Sequence, residues 1–355
     1  MKARTPIFSA LALLFLALAA SPDAAAQGKE VDLPPTIFNL LHYQELLELE
    51  LSFNFQDLEK NRRNEDRFDA ILRFLDGNGR PRLWEVELNV RGRYRRLHCN
   101  FPPLKINFDK DDLKAARLED HNNLKLVTHC LNASIGDDYV LREYLAYRLY
   151  EDLTHISYRT QLVLIHYLDT HSDKTFTRFG IILEDEKELA ERFDSDLCED
   201  CFGVGQEAFN PDAARLHDLF QYMIGNADYS PKILRNVKML KPHNGDPYYL
   251  VPYDFDFTGF VNALYVQVPP HLGIDDIRDR VYLGFPYSAP EMEETFTFME
   301  SRRNVMLDDI ENFPYINKKT RRDLKDYLRA FFIRYRNPGE LETLANNPKD
   351  LIRQN

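Results

Sequence analysis

Between residues 67 and 91, apolar and polar side chains alternate with period two on either side of a tight turn. Phe68, Ala70, Leu72 and Phe74 share one face of the first run, and Trp84, Val86, Leu88 and Val90 share one face of the second. Successive strand side chains point to opposite faces, so the pattern buries one face and leaves the other polar. Asp76-Gly77-Asn78-Gly79 joins the runs with residues that tolerate positive φ, the chemistry of a hairpin turn. The chain is thereby committed to an antiparallel sheet. Further strands are predicted over 104–108, after Pro102-Pro103, and over 124–130, 160–168 and 176–183. A helix over 139–153 crosses among them, with Val140, Leu141, Tyr144, Leu145 and Leu149 in one apolar stripe.

Ahead of the hairpin, Phe38, Leu41, Leu46 and Leu49 recur at helical spacing behind Thr36, which predicts a capped helix over 37–50. After the sheet come a charged helix over 186–193, a cysteine-bearing loop over 194–210, and a helix opened by Pro211-Asp212 that is apolar from Leu216 to Ile224. Two short apolar strands and helices over 291–310 and 318–335 follow, stopped by Asn337-Pro338-Gly339. A sheet with one crossing helix, then helices around a small β pair, is an α+β, two-lobed order. The segments are a signal peptide over 1–26, an arm and helix over 27–66, a β-rich lobe over 67–193, a lobe over 194–270 and a helical extension over 271–355.

The signal peptide rests on Lys2 and Arg4, the apolar run from Ile7 to Ala20, and Ala24-Ala25-Ala26 before Gln27. The run is shorter than a comfortable membrane span, so an exported protein (periplasmic, cell-surface or secreted) without stable membrane insertion is expected. A net charge of -12 without a long basic run argues against nucleic acid as a partner, because phosphate contacts need clustered Lys and Arg. Export makes disulfides possible for the four cysteines. Cys198 and Cys201 form a single C-x-x-C, two ligands short of a structural zinc site, and a local disulfide is the simpler reading. Cys99 and Cys130 are candidates for a second bond, but spacing leaves three connectivities open.

Chemistry-bearing residues gather late in the chain. The apolar helix ending at Ile224 runs into Gly225-Asn226-Ala227-Asp228. Asn236 stands before one apolar strand, and the next delivers Asp254 and Asp256, which share a face by period-two alternation. Acids and amides gathered beside one loop suit a divalent cation and a polar substrate. Phosphoryl transfer needs a Lys on the phosphates, an acid to take the hydroxyl proton, and an Asn and an Asp on the cation. The chain offers Lys105 on a sheet strand, Glu143 on the crossing helix, and Asp228, Asn236 and Asp254 in that order.

These blocks resemble the CotH-like secreted kinases, a divergent branch of the protein-kinase-like fold. The resemblance spans roughly 85–259. It rests on Arg91-Gly92, Lys105-Ile106-Asn107-Phe108, Leu124-Lys125-Leu126-Val127, Leu141-Arg142-Glu143-Tyr144, Gly180-Ile181-Ile182-Leu183-Glu184, Gly225-Asn226-Ala227-Asp228, Asn236 and Tyr253-Asp254-Phe255-Asp256. It implies a two-lobed kinase-like fold and ATP as phosphate donor. In it Asp228 would be the catalytic acid/base, Lys105 would bind phosphate with help from Arg91 and Arg142, and Glu184 would lie near the nucleotide hinge. Asn236 and Asp254, with Asp256, would hold Mg²⁺ or Mn²⁺. The acceptor would be a Ser/Thr-type hydroxyl of an exported protein.

The chain departs from the family in three places. Arg93-Tyr94-Arg95-Arg96 replaces a small polar run, Tyr253 replaces a Trp, and Asp228 and Asn236 stand eight apart. The last spacing leaves Asn226 and Asn236 as alternative metal ligands. Two other classes stay open. One is a pseudokinase-like binding or surface-assembly protein without turnover, and the other is a calcium-binding exported protein using Asp228, Asp254 and Asp256 as oxygen ligands.

Overall fold

The structure is a computed structural model and describes residues 30–64 and 66–346. The expected signal peptide lies outside them. Among the described residues, ten strands and ten α-helices follow in the order α1 (Ile37–Leu41), β1 (Leu46–Phe53), α2 (Phe55–Lys60), β2 (Phe68–Leu75), β3 (Pro81–Val90), α3 (Tyr94–His98), β4 (Leu104–Phe108), α4 (Lys110–Ala115), β5 (Asn123–Val127), α5 (Ser134–Glu151), β6 (Thr160–Asp169), β7 (Thr175–Leu183), α6 (Glu186–Arg192), β8 (Ser195–Leu197), α7 (Pro211–Met223), β9 (Val237–Pro242), β10 (Tyr249–Pro252), α8 (Ala289–Asn312), α9 (Lys318–Tyr335) and α10 (Pro338–Asn346).

The first seven strands close into a barrel in the order β1-β2-β3-β4-β5-β7-β6. This corrects the α+β, two-lobed kinase-like fold, an antiparallel sheet lobe followed by a mainly helical lobe, that the sequence suggested. The strand that closes it is β1, which pairs antiparallel to β2 and parallel to β6, with Leu46 opposite Leu162 and Phe53 opposite Asp169. The sheet is therefore mixed. The expected helix over 37–50 stops at Leu41, where Thr36 caps it through a reciprocal bond with Asn39. From there Leu47, Leu49, Leu51 and Phe53 alternate with polar neighbours and are buried. That period-two set shares Leu49 with the helical-spacing set, and closing the barrel buries it where a surface helix could not.

The barrel interior is one core, including Leu49, Leu72, Trp84, Leu88, Ile106, Leu126 and Ile182. Val127, Leu162, Ile181 and Leu183 face outward from β5, β6 and β7 and join a second core with α5, α7, α8 and α9. The helical part thus covers one side of the barrel. A three-stranded sheet, β10-β9-β8, extends it.

Both cysteine pairs are bonded. Cys99–Cys130 ties the end of α3 to the segment after β5, with Cα atoms 4.5 Å apart, and Cys198–Cys201 is local. Among the described residues no helix is long and apolar enough to cross a membrane.

Candidate active site

Two walls of the helical part meet the outer face of β5. The first is the loop after α7. Gly225 begins it at φ +65°, and a Cβ there would collide with the Tyr327 hydroxyl, so both conformation and space require glycine. Asn226 then accepts the backbone N–H of Asp228 at 2.9 Å while donating to Gln221 at 2.9 Å. Asn236 closes the loop from the other side. Its side-chain amide donates to the Asp228 carbonyl at 2.7 Å and to the Asp228 carboxylate at 3.1 Å. Its own carbonyl accepts the Tyr253 N–H at 3.1 Å. One asparagine therefore holds Asp228 and the residue before Asp254 together. It adopts φ +53°, a left-handed conformation that asparagine tolerates better than most residues.

The second wall is the turn after β10. Asp254 is itself left-handed, at φ +63°, and its N–H donates to the Tyr147 hydroxyl of α5 at 2.9 Å. The turn presents Asp254 and Asp256 to Glu143 of α5, so that one carboxylate oxygen of each lies within 4.8 Å of the others. The guanidinium of Arg95, from α3, binds all three. It pairs with Asp254, reaches Glu143 at 3.3 Å and Asp256 at 3.3 Å, and is only 6 % exposed. The Tyr265 hydroxyl donates to Asp256 at 3.1 Å.

Three acids around one guanidinium cannot all ionise without cost. Burial pushes Glu143 up to about 7 against the pull of Arg95. Burial also drives Asp256 well above the carboxylate range, with Asp254 and Glu143 adding to it. Asp254, 28 % exposed, goes the other way, because Arg95 and Arg91 outweigh its burial. Asp228 is raised, by burial first, with the nearby Asp254 charge adding to it and Arg235 opposing.

Lys125 of β5 completes the site. Its ammonium pairs with Glu186 at the start of α6 and lies 4.5 Å over the Tyr253 ring. Lys238 of β9 joins the same Glu186 at 2.8 Å and lies 5.7 Å from the same ring. Burial lowers Lys125 to about 7 despite Glu186, with Arg91 and Lys238 lowering it further. Glu186 falls to about 2 although burial opposes this, because it faces two ammonium groups while Lys125 faces one carboxylate among cations. Arg91, at the end of β3, is close enough to shift Lys125, Tyr147, Tyr253 and Asp254, yet its guanidinium has no ion pair or hydrogen bond among the described residues.

The structure therefore brings together Arg91, Glu143, Asp228, Asn236, Asp254 and Asp256 of the residues singled out from sequence. It places three elsewhere. Lys105 stands on β4 in register with Lys125, on the same face but one strand further from the helices. Arg142 is bound to Asp138 at 2.8 Å and Asp323 at 2.7 Å. Glu184 is buried between Arg159 and Arg192, each at 2.7 Å. Asn226 serves the loop backbone, so of the two asparagines only Asn236 touches the Asp228 carboxylate. The residues that sequence reasoning passed over are Lys125, Glu186, Lys238 and Arg95. A lysine inside the apolar run Leu124-Lys125-Leu126-Val127 was a usable signal, but nothing local marked Arg95.

The donors fit a hard cation in part. They are oxygens, Glu143 Oε1 is buried without a hydrogen-bond partner, and Asp254 is partly exposed. With its amide nitrogen given to Asp228, the remaining polar atom of the Asn236 side chain is a carbonyl oxygen. Arg95 already occupies one side of the carboxylates.

No protein-family model matches this chain, and a search of the curated proteins finds no relative.

Proposed function

We propose that this protein is an exported, metal-dependent phosphotransferase that moves the γ-phosphoryl group of ATP to a hydroxyl of an exported acceptor protein. The observation that carries this reading is the meeting of Lys125, Asp228 and Asp254, from a barrel strand, a helix-end loop and a strand-end turn, around one partly exposed site. The reading rests on the site rather than the fold, since the same chemistry recurs on unrelated folds. Lys125 and the unpaired Arg91 supply positive charge for phosphate oxygens. Asp228, held by Asn236 and raised by burial, accepts the proton of the attacking hydroxyl. Asp254 and Asn236 would hold Mg²⁺ or Mn²⁺, which neutralises charge on the transferred group. Two disulfides support an oxidising, extracytoplasmic setting.

A second reading has one observation in its favour. Arg95 fills the carboxylates that would otherwise face a cation, which suits a protein that binds nucleotide without turning it over.

Transfer of labelled phosphate from ATP, with Mg²⁺ or Mn²⁺, to the protein itself or a generic protein acceptor separates the two. Asp228→Asn should reduce labelling by roughly 10²–10⁴-fold, the contribution of a general base, and Asp254→Asn should abolish it. Labelling unchanged in Asp254→Asn overturns the metal assignment. Nucleotide-induced thermal stabilisation without labelling supports the second reading. The absence of stabilisation with every divalent ion overturns both.

A further inference from the structure

The Glu143–Asp254–Asp256 cluster has the composition of a divalent-cation site and holds a guanidinium instead. Its three carboxylates come from α5 and from the turn after β10, and a ligand oxygen from each lies within 4.8 Å of the other two. Glu143 and Asp256 are each 2 % exposed. Arg95 enters from α3, whose C-terminal end is bonded through Cys99 to Cys130, and touches all three acids. Glu143 Oε1 remains buried without a partner, so the guanidinium does not satisfy every oxygen. The other groups facing the cluster are Arg91, Lys125, Asp228 and the hydroxyls of Tyr147 and Tyr265, and among the described residues none of them forms a second ion pair with it.

We propose that Arg95 is a built-in cation that occupies one of two potential divalent-cation positions, so that the protein binds a single divalent ion, through the outer side of Asp254 with Asn236. Arginine suits this task because its charge is permanent and its planar fork can serve several carboxylates at once. A fixed guanidinium also leaves no position for a second ion that would have to be loaded from solution. The inference deepens the phosphotransferase reading by giving its cation requirement, yet the ion count does not depend on turnover or on nucleotide.

The experiment is Mn²⁺ binding to the full-length protein without nucleotide, followed by calorimetry and by the paramagnetic resonance of free Mn²⁺. Wild type should bind one ion. Arg95→Gln should bind two, and Arg95→Gln with Glu143→Gln should return to one. In the wild-type background, Glu143→Gln should leave the single ion in place, because Glu143 serves Arg95 there. A second ion in wild type, or a folded Arg95→Gln variant with no added ion, overturns the proposal. Loss of the only ion in Glu143→Gln also overturns it, and this variant decides the matter if Arg95→Gln does not fold. If these counts hold while ATP neither binds nor labels, the proposal stands and the phosphotransferase reading fails. If ATP labelling is robust while Arg95→Gln gains nothing, the reverse is true.

Discussion

The side-chain amide of Asn236 reaches both the backbone carbonyl and the carboxylate of Asp228, at 2.7 and 3.1 Å. A spacing of eight residues is thereby compressed into a single contact, because the chain between them doubles back at Ser230 and Arg235, which exchange backbone hydrogen bonds. Asn236→Gly keeps the left-handed backbone and removes the contact. It is expected to leave the melting temperature nearly unchanged and to lower phosphate transfer. Asn236→Val adds a β-branched side chain at φ +53°, costing roughly 1–2 kcal/mol in backbone strain. Denaturant unfolding of the two variants checks the difference.

Arg95→Ala leaves three acids without their shared cation, two of them almost fully buried. Removing one partner from a buried ion pair costs roughly 3–5 kcal/mol, and a loss of that order is expected at neutral pH. The loss should shrink at pH 5, where protonation relieves the orphaned carboxylates. Chemical denaturation at the two pH values tests this. An equal loss at both would mean that packing, not charge, is the role of Arg95.

The Cys99–Cys130 bond joins residues 31 apart and anchors α3 beside the segment after β5. Replacing both cysteines by serine should cost about 2–4 kcal/mol, the usual range for a native disulfide. Because Arg95 sits on the same short helix, nucleotide binding should weaken in the variant beyond what its lower melting temperature explains. The Cys198–Cys201 pair serves as the control, being local and far from α3 in sequence.

Anion binding should depend on pH through Lys125. Its ammonium is fully present below about 7 and is lost as pH rises through that value, so affinity for ATP should fall between pH 6 and pH 8. Glu186→Gln removes the carboxylate that holds the proton on Lys125 and should shift this fall to lower pH. The stability linked to Glu186 runs separately. Its carboxylate is lowered from its usual value to about 2, so its contribution is complete above about 4.5 and disappears as pH falls through about 2. Calorimetric titration with ATP, and acid unfolding of wild type against Glu186→Gln, measure the two effects.

Much of the local structure was legible. The hairpin of β2 and β3, the long α5 and the helix leading to Gly225 follow from periodicity and turn residues close in sequence. Asp254 and Asp256, by contrast, expected on one face of a strand, lie on a turn because β10 ends at Pro252 and Asp254 is left-handed. The site was legible in its acids, since Asp228, Asn236, Asp254 and Asp256 lie within one short stretch. Its cations were not, because Arg95 and Lys125 lie on elements far back in the chain and arrive there only by packing. Lys105 and Lys125 illustrate the limit. Both occupy outward positions on neighbouring strands, and only the strand order of the barrel puts Lys125 against Glu186 and Tyr253.

The sequence by itself determined which faces of the strands are apolar, where the turns fall, and that acids and amides gather after α7 and β10. These are properties of residues a few positions apart, set by backbone periodicity and steric preference. The tertiary structure decided that β1 is a strand, that it closes the sheet by lying parallel to β6, which cysteines pair, and that Arg95 sits among acids from two distant segments. Periodicity states which way a side chain points. What it points at is settled only when strands far apart in sequence pair and bury their apolar faces together.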